Sequence, residues 1–380
     1  MLVLGTAFTA DAQERAIRAG GDFLTIGAHR DEFSQPDFHA YCIEYDWRPA
    51  EDSFASAYGY PSFGVGVVYN TLSRVTFFSD SGHFDDMVAA YGKVSRDLLR
   101  WERLSIGYDA SLGLSYSPGC YDVITNSANW SMGAPVLFYV AGGGHVTWSV
   151  TPRIDVEAEM GARHNSSARL AYPNEGLNCW SGGLSARYYL QPVTKPEKRK
   201  VAIPETEYEK GWHYELYAGG GVHTCAAEWL ALILSEDKET LDASQLRRWP
   251  MASLSFDAIY RMNGKLALGA TADAFYASNS EVLRWADGII YGEESSRGYA
   301  PFSGGIGVVQ EVFYKHIALY MQECVYLYRK TGTRGYHGPV YERVGFRLYP
   351  PWLDPVFMSV CIKAHAFKAD YLDFTVGIKL

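Results

Sequence analysis

The chain has 380 residues and a formal net charge of -9, which excludes the basic surface that a nucleic-acid-binding protein needs. Apolar residues make up 48% of it, with 28 Tyr and 37 Gly, yet its mean hydropathy is only -0.14. No segment approaches the roughly 18 uninterrupted apolar residues of a membrane-spanning helix, which argues against a helical membrane protein and leaves a soluble all-β protein or an outer-membrane barrel.

The N-terminal segment Met1–Gln13 reads as the end of a secretory signal. An apolar run leads to small residues at Ala10 and Ala12, which suit a cleavage site, and we expect residues 1–12 to be a partial signal peptide. The basic residues that normally open a signal are missing. The alternative is a truncated or misassigned start.

Alternation with period two is the main pattern of the chain. From Leu104 to Tyr116 every even position is apolar and every odd position is small or polar, and Ile154–Arg163 places its charged residues on the odd side in the same way. Strand candidates before residue 95 are weaker. The later candidates are 177–190, 212–222, 251–261, 265–276, 302–313, 316–328, 340–349, 356–365 and 371–380.

Two faces of opposite character suit a barrel wall in lipid better than a soluble sandwich, because the polar face fits a wet lumen. We therefore predict an all-β fold, a transmembrane antiparallel β-barrel of about 12 to 16 strands. It forms one barrel over residues 20–380 in the Gram-negative outer membrane. The connections 191–210 and 226–248 do not resemble interdomain linkers, and the second is expected to carry a helical turn.

The six cysteines show no CxxC spacing and no metal-ligand spacing, and most fall in strand-like segments. We predict no disulfide framework, no metal and no cofactor. The basic run from Lys195 to Lys200 is interpreted as a solvated loop. His145, His213 and His223 are interpreted as hydrogen-bonding residues of the lumen or of strand ends.

His164 and Ser166 form the segment with the chemistry of a site. Separated by two residues, they share one face of a strand about 7 Å apart along the backbone, on the even side assigned to lipid. A hydroxyl beside an imidazole is the minimum for an activated serine nucleophile. Asn174 and Asn178 follow across a turn and are candidates for an oxyanion donor and for a partner that orients the imidazole. The alternative is a chance His-x-Ser pair at a strand end.

The block from His164 to Asn178 resembles the lipid A 3-O-deacylase (PagL-like) family of outer-membrane barrels, also described as acyloxyacyl hydrolases. The PagL-like region spans about residues 60–191, and additional strands over 210–380 resemble the longer members. Segments that share the resemblance are Tyr60–Gly66, Tyr108–Tyr116, Asn129–Gly133, Tyr341–Arg347 and Lys363–Tyr371.

The resemblance implies Ser166 as nucleophile, His164 as general base and Asn174 at the oxyanion position, with Ser167 beside it. Asn178 stands where the smaller enzymes have a histidine-orienting Glu. Asparagine accepts a hydrogen bond but does not stabilise an imidazolium by charge, so weaker catalysis is implied. Ser167 and Ala168 also depart from the family, which commonly has Asn and Gly there. Glu175 is an alternative acid.

The implied function is hydrolysis of an ester-linked acyl chain of lipid A, with lipopolysaccharide of the outer leaflet as partner. One alternative is a non-catalytic barrel, a channel or scaffold in which the His-Ser pair has lost its function. Another is a phospholipase of the same barrel type.

Overall fold

The computed structural model of the chain describes residues 12–27, 30–49, 52–193, 202–235 and 246–380. Of the predicted signal peptide, residues 1–12, only Ala12 falls within them. The basic run from Lys195 to Lys200 also lies outside the described residues. No helix in the described part of the chain is long and apolar enough to cross a membrane.

Antiparallel strands dominate the structure, which confirms the all-β prediction. In chain order they are β1 (Ala12–Ile26), β2 (Phe33–Gln35), β3 (Asp37–Pro49), β4 (Ser62–Asn70), β5 (Thr76–Phe77), β6 (Met87–Arg100), β7 (Leu104–Tyr116), β8 (Val136–Thr151), β9 (Ile154–Ser166), β10 (Leu177–Tyr189), β11 (Gly211–Thr224), β12 (Arg248–Arg261), β13 (Leu266–Ala277), β14 (Phe302–Tyr314), β15 (Ile317–Tyr328), β16 (Val340–Leu348), β17 (Val356–His365) and β18 (Lys368–Lys379). Helices lie in the connections: α1 (Ser53–Ala57), α2 (Ala226–Leu234) and α3 (Ser280–Tyr291). The short strands β2 and β5 pair with each other.

The strands close into two barrels of eight, not into the single barrel expected over residues 20–380. The first barrel closes where β10 returns to β1, in a register that runs from Ala16↔Tyr189 to Ile26↔Cys179. The second closes where β18 pairs with β11, for example Leu216↔Ile378. Since β10 already uses the free edge of β1, no edge remains on the first barrel for β11 to extend.

The chain divides into two compact units that follow the barrels. One unit contains residues 1–167 and 174–202, and the other contains residues 168–173 and 203–380. Each unit therefore has a barrel of its own.

The outer surfaces of both barrels carry the apolar side chains of the alternating pattern. Examples are Leu112, Leu114, Met160, Trp180 and Leu184 on the first barrel, and Leu254, Phe256, Val308, Phe374 and Val376 on the second, all exposed. Exposed apolar bands of this kind are the lipid-facing surface of a transmembrane barrel.

Ion pairs fill the interior of the first barrel where a wet lumen was expected. Arg18 contacts Glu44 at 3.0 Å and Glu157 at 3.1 Å, and Arg187 contacts Asp46 at 3.0 Å. An eight-stranded barrel is just wide enough for its inward side chains to fill it, and these charges are therefore buried against one another.

The second barrel is filled in the same manner. Arg347 contacts Asp257 at 2.6 Å and both Glu215 and Glu311 at 2.9 Å. Arg343 contacts Asp273 at 3.0 Å and Asp373 at 2.8 Å. Each guanidinium is fully buried and compensated by carboxylates from facing strands.

Candidate active site

The side chain of Asn165 points into the first barrel, so those of His164 and Ser166, its neighbours in the chain, point outward. Asn165 is buried and accepts a hydrogen bond from Ser115 Oγ at 2.9 Å, so its side chain points inward. Successive side chains of a strand point to opposite faces. His164 and Ser166 consequently lie on the outward side, which continues the exposed series Val156, Met160 and their even neighbours.

His164 and Asn178 face each other across the β9–β10 pair and are hydrogen-bonded. They are register partners, and His164 Nδ1 lies 2.7 Å from Asn178 Oδ1. Asn178 Nδ2 donates to the carbonyl of Gly176 at 3.3 Å, which fixes the amide with its oxygen towards the ring. Nδ1 must then carry the proton, and Nε2 keeps the lone pair that a general base needs.

Ser166 is the last residue of β9 and is 8% exposed. It lies opposite Phe138 of β8 in the register, while His164 lies opposite Val140. Among the described residues the structure gives no hydrogen bond between Ser166 Oγ and His164. Bonds of this kind are often loose in a free enzyme and tighten when substrate is bound.

Asn174 and Ser167 form the second pair of the site. The backbone N–H of Ser167 donates to Asn174 Oδ1 at 2.7 Å, and Ser167 Oγ donates to the same oxygen at 2.9 Å. The two bonds fix the Asn174 amide, so its NH2 group points away from Ser167. Ser167 uses its own N–H to hold Asn174, which makes Asn174 the better candidate for an oxyanion donor.

Glu175, the alternative acid, is exposed, and the residue that holds His164 Nδ1 is Asn178. The backbone N–H of Glu175 donates to the carbonyl of Trp130, and that of Gly176 donates to the carbonyl of Ser131, both at 3.2 Å. The loop between β7 and β8 therefore supports the turn that carries Asn174 and Asn178.

Asn129 orders that supporting loop, a role that sequence reasoning missed. It is fully buried, donates to the carbonyl of Gly119 at 2.8 Å and accepts from the N–H of Met132 at 3.3 Å. Asn126 acts similarly, donating to the carbonyl of Cys120 at 2.8 Å. A single Asn in a loop gives no periodic signal, so only the resemblance over Asn129–Gly133 pointed to this region.

One group of carboxylates lies close enough together to be considered for a metal ion. Oxygens of Asp109, Glu157 and Glu159 lie within 4.8 Å of one another inside the first barrel. Arg18 contacts both glutamates, and His145 contacts Asp109 at 2.7 Å. Protein cations therefore already compensate this acidic group, and His145 is the lumenal hydrogen-bonding residue that the sequence predicted.

Comparison with known proteins gives one family match. Residues 212–380 match the family described as acyloxyacyl hydrolase, C-terminal domain. No curated protein matches the chain.

Several solved structures are similar at low identity. The outer-membrane enzyme PagL is 13% identical with a TM-score of 0.31, covering 46% of this chain and 99% of that one. Neisserial surface protein A is 14% identical with a TM-score of 0.28, covering 46% and 95%. The Pseudomonas putida toluene transporter TodX is 8% identical with a TM-score of 0.17, covering 97% and 88%.

Proposed function

We propose that this outer-membrane barrel protein, whose residues 212–380 match the acyloxyacyl hydrolase C-terminal domain, is a PagL-like enzyme that removes an ester-linked acyl chain from lipid A. The observation that supports this most directly is the His164–Asn178 pair, with Nδ1 2.7 Å from Oδ1. It leaves the basic nitrogen of the imidazole available on the lipid-facing side of the wall.

The location of the pair at one end of the barrel supports a substrate in the outer leaflet. Ser166 ends β9 at the side where the connections between barrel strands are long, 27–36, 71–86, 117–135 and 167–176. The opposite end has the two short turns 101–103 and 152–153 and one longer connection, 50–61, which carries α1. In outer-membrane barrels the long loops are extracellular and the short turns periplasmic. Ester bonds of a glycolipid lie just below its head group, at the depth of a strand end.

The chemistry follows from the roles of the four side chains. Ser166 Oγ attacks the ester carbonyl while His164 Nε2 takes its proton, and the Asn174 NH2 group donates to the oxyanion that forms. The ester bond breaks, and His164 returns the proton to the leaving sugar hydroxyl. Water then hydrolyses the acyl-enzyme by the same route and releases a fatty acid. Asn178 holds the imidazole throughout but adds no charge.

The test compares lipid A extracted from cells that express the wild type or Ser166→Ala. We expect mass spectrometry to show loss of one acyl chain with the wild type and no such loss with Ser166→Ala. Ser181→Ala, on the inward side of β10, is the matched control and should behave as wild type. Unchanged acylation in every strain would overturn the proposal and leave a non-catalytic barrel. Release from phospholipid alone would instead identify a phospholipase.

A further inference from the structure

A cavity at one end of the second barrel has four cationic side chains among otherwise mostly apolar and neutral lining residues. Its volume is about 70 Å³, several times the roughly 10–15 Å³ that one water molecule needs by the same measure. Arg169, Arg329, Arg334 and Lys363 line it together with a single carboxylate, Asp370. All of these residues belong to the same compact unit. The charged side chains of the lining therefore carry an excess of positive charge.

The one carboxylate is already engaged. Asp370 Oδ2 accepts from Lys363 Nζ at 2.8 Å, and Asp370 Oδ1 lies 3.3 Å from His223 Nδ1. Asn279 Nδ2 donates to His223 Nε2 at 3.1 Å, which directs the Nδ1 proton of His223 to Asp370. Asp370 therefore compensates the charge of Lys363. The charges of Arg169, Arg329 and Arg334 are left without a carboxylate in the lining.

Neutral carbonyls, not carboxylates, hold two of these arginines. Arg329 donates to the carbonyls of Gly335 at 3.2 Å and Gly338 at 3.4 Å, and Arg169 donates to the carbonyl of Ala369 at 3.4 Å. Over the described ranges, none of the three arginines forms an ion pair. The guanidinium groups of Arg169 and Arg329 are thus held by hydrogen bonds, but no carboxylate of the described residues compensates their charge or that of Arg334.

Two polar atoms of the lining also have no hydrogen-bond partner in the described part of the chain. Arg169 Nε and Thr331 Oγ1 are both inaccessible to solvent. Buried polar groups are nearly always hydrogen-bonded, so each exception calls for a missing partner. One donor on a guanidinium and one hydroxyl in the same cavity are suitable partners for the oxygens of an oxyanion.

His337, which also lines the cavity, is affected by the same positive charges. Burial, followed by the charges of Arg169 and Arg329, lowers the pKa of His337 to about 4. Asp370 opposes this effect and Lys368 adds to it. Groups facing the imidazole are thus predominantly cationic.

We propose that this cavity binds a phosphate monoester of the glycolipid head group. Planar guanidinium groups match phosphate oxygens in pairs, and three of them around one cavity suit a dianion. The identity of the ligand rests on the proposed function, since lipid A is a phosphorylated glycolipid.

The test measures binding without turnover. The full-length protein with Ser166→Ala is titrated in detergent micelles with bisphosphorylated lipid A and with the same lipid after removal of its phosphates. We expect the phosphorylated form to bind at least tenfold more tightly. Arg169→Gln with Arg334→Gln should abolish this preference, and Arg334→Gln alone, an exposed side chain, should reduce it. Lys315→Gln, which removes one charge at the opposite end of the barrel, is the matched control.

Equal affinity for the two lipids, or a preference that survives the double substitution, would overturn the proposal. A third titration with inorganic phosphate identifies the source of the anion. Arginine-dependent binding of free phosphate as tight as that of the lipid would overturn the assignment to a head group. The binding experiment does not measure hydrolysis. A negative result in it therefore does not affect the deacylase test, and absence of deacylase activity does not affect the binding experiment.

Discussion

Gly176 lies directly against the imidazole of His164. A Cβ atom built on Gly176 would be 2.6 Å from His164 Cε1, and the backbone there has a φ of +78°, a conformation that favours glycine. The carbonyl of Gly176 also accepts from Asn178 Nδ2. This residue thus provides the space for the ring and fixes the amide that holds it.

Gly176→Ala is expected to reduce kcat about 100-fold by displacing His164, because a misplacement of about 1 Å costs that much. The barrel should still fold, since the residue lies in a loop. Gly182→Ala on β10 is the control, because its Cβ would meet nothing closer than 3.9 Å. Activity is measured as fatty acid release. Equal activity of the two variants would show that catalysis does not depend on the position of the His164 imidazole.

Asn178→Asp should raise kcat about tenfold. A hydrogen bond to a carboxylate is stronger than one to an amide by about 1 kcal/mol, and the added charge stabilises the imidazolium formed during attack. The acid limb of the pH-rate profile should also move to higher pH. Asn178→Leu, which removes the acceptor at similar size, should lower kcat instead. A profile and rate unchanged by both substitutions would contradict the assigned role of Asn178.

Asn174→Ala should lower kcat by a factor of about 100 with little change in KM, because it removes a donor to the oxyanion. Ser167→Ala removes only the hydroxyl bond to Asn174 Oδ1 and keeps the backbone bond. The decrease in kcat of Ser167→Ala should stay below about tenfold, which corresponds to the free energy of one hydrogen bond. Steady-state kinetics on both variants checks this order, and the reverse order would assign the donor to Ser167.

The stability of the protein should decrease as the pH is lowered, through the titration of His337. The pKa of His337 is lowered to about 4, so between about pH 6.5, the usual value in an unfolded chain, and pH 4 the unfolded chain binds more protons than the folded one. Stability therefore rises with pH across this window. Urea unfolding at several pH values should show a shallower slope for His337→Gln. Parallel curves for variant and wild type would contradict the prediction.

Arg347→Met should destabilise the second barrel by about 3–5 kcal/mol. Arg347 is fully buried, and its loss leaves Glu215, Asp257 and Glu311 without their cation. Arg297→Met, at an exposed arginine 4.0 Å above the ring of Tyr336, should cost less than about 1 kcal/mol. Denaturant unfolding of the refolded variants measures the free energy of unfolding in each case. Similar destabilisation by the two substitutions would mean that Arg347 does not compensate the buried carboxylates.

The alternation of side chains was sufficient to locate most strands. Leu104–Tyr116 and Val356–His365 have the predicted bounds, and β14 and β15 differ from prediction by one residue at one end. The expected helical turn after residue 226 is α2. A barrel wall exposes one face of every strand to lipid, so the pattern is strong and local.

Features that depend on distant residues were not accessible in the same way. Closure of β1 on β10 pairs residues more than 150 positions apart, such as Ala16 and Tyr189, and alternation is the same for one large barrel or two small ones. Helix α3 was not predicted. Within the site, the spacing of His164 and Asn178 suggested a partnership, but the bond that holds Asn174 to Ser167 depends on turn geometry that no periodic pattern encodes.

The way in which each sheet returns to its own first strand has a consequence for the engineering of the chain. Every long strand of the first barrel finds both neighbours within residues 12–189, and every strand of the second within residues 211–379. Cutting the polypeptide between them would expose no unsatisfied backbone at the edge of either half. The two walls are thus independent of each other in their backbone pairing, whereas residues 168–173, between β9 and β10, belong to the compact unit of the second barrel.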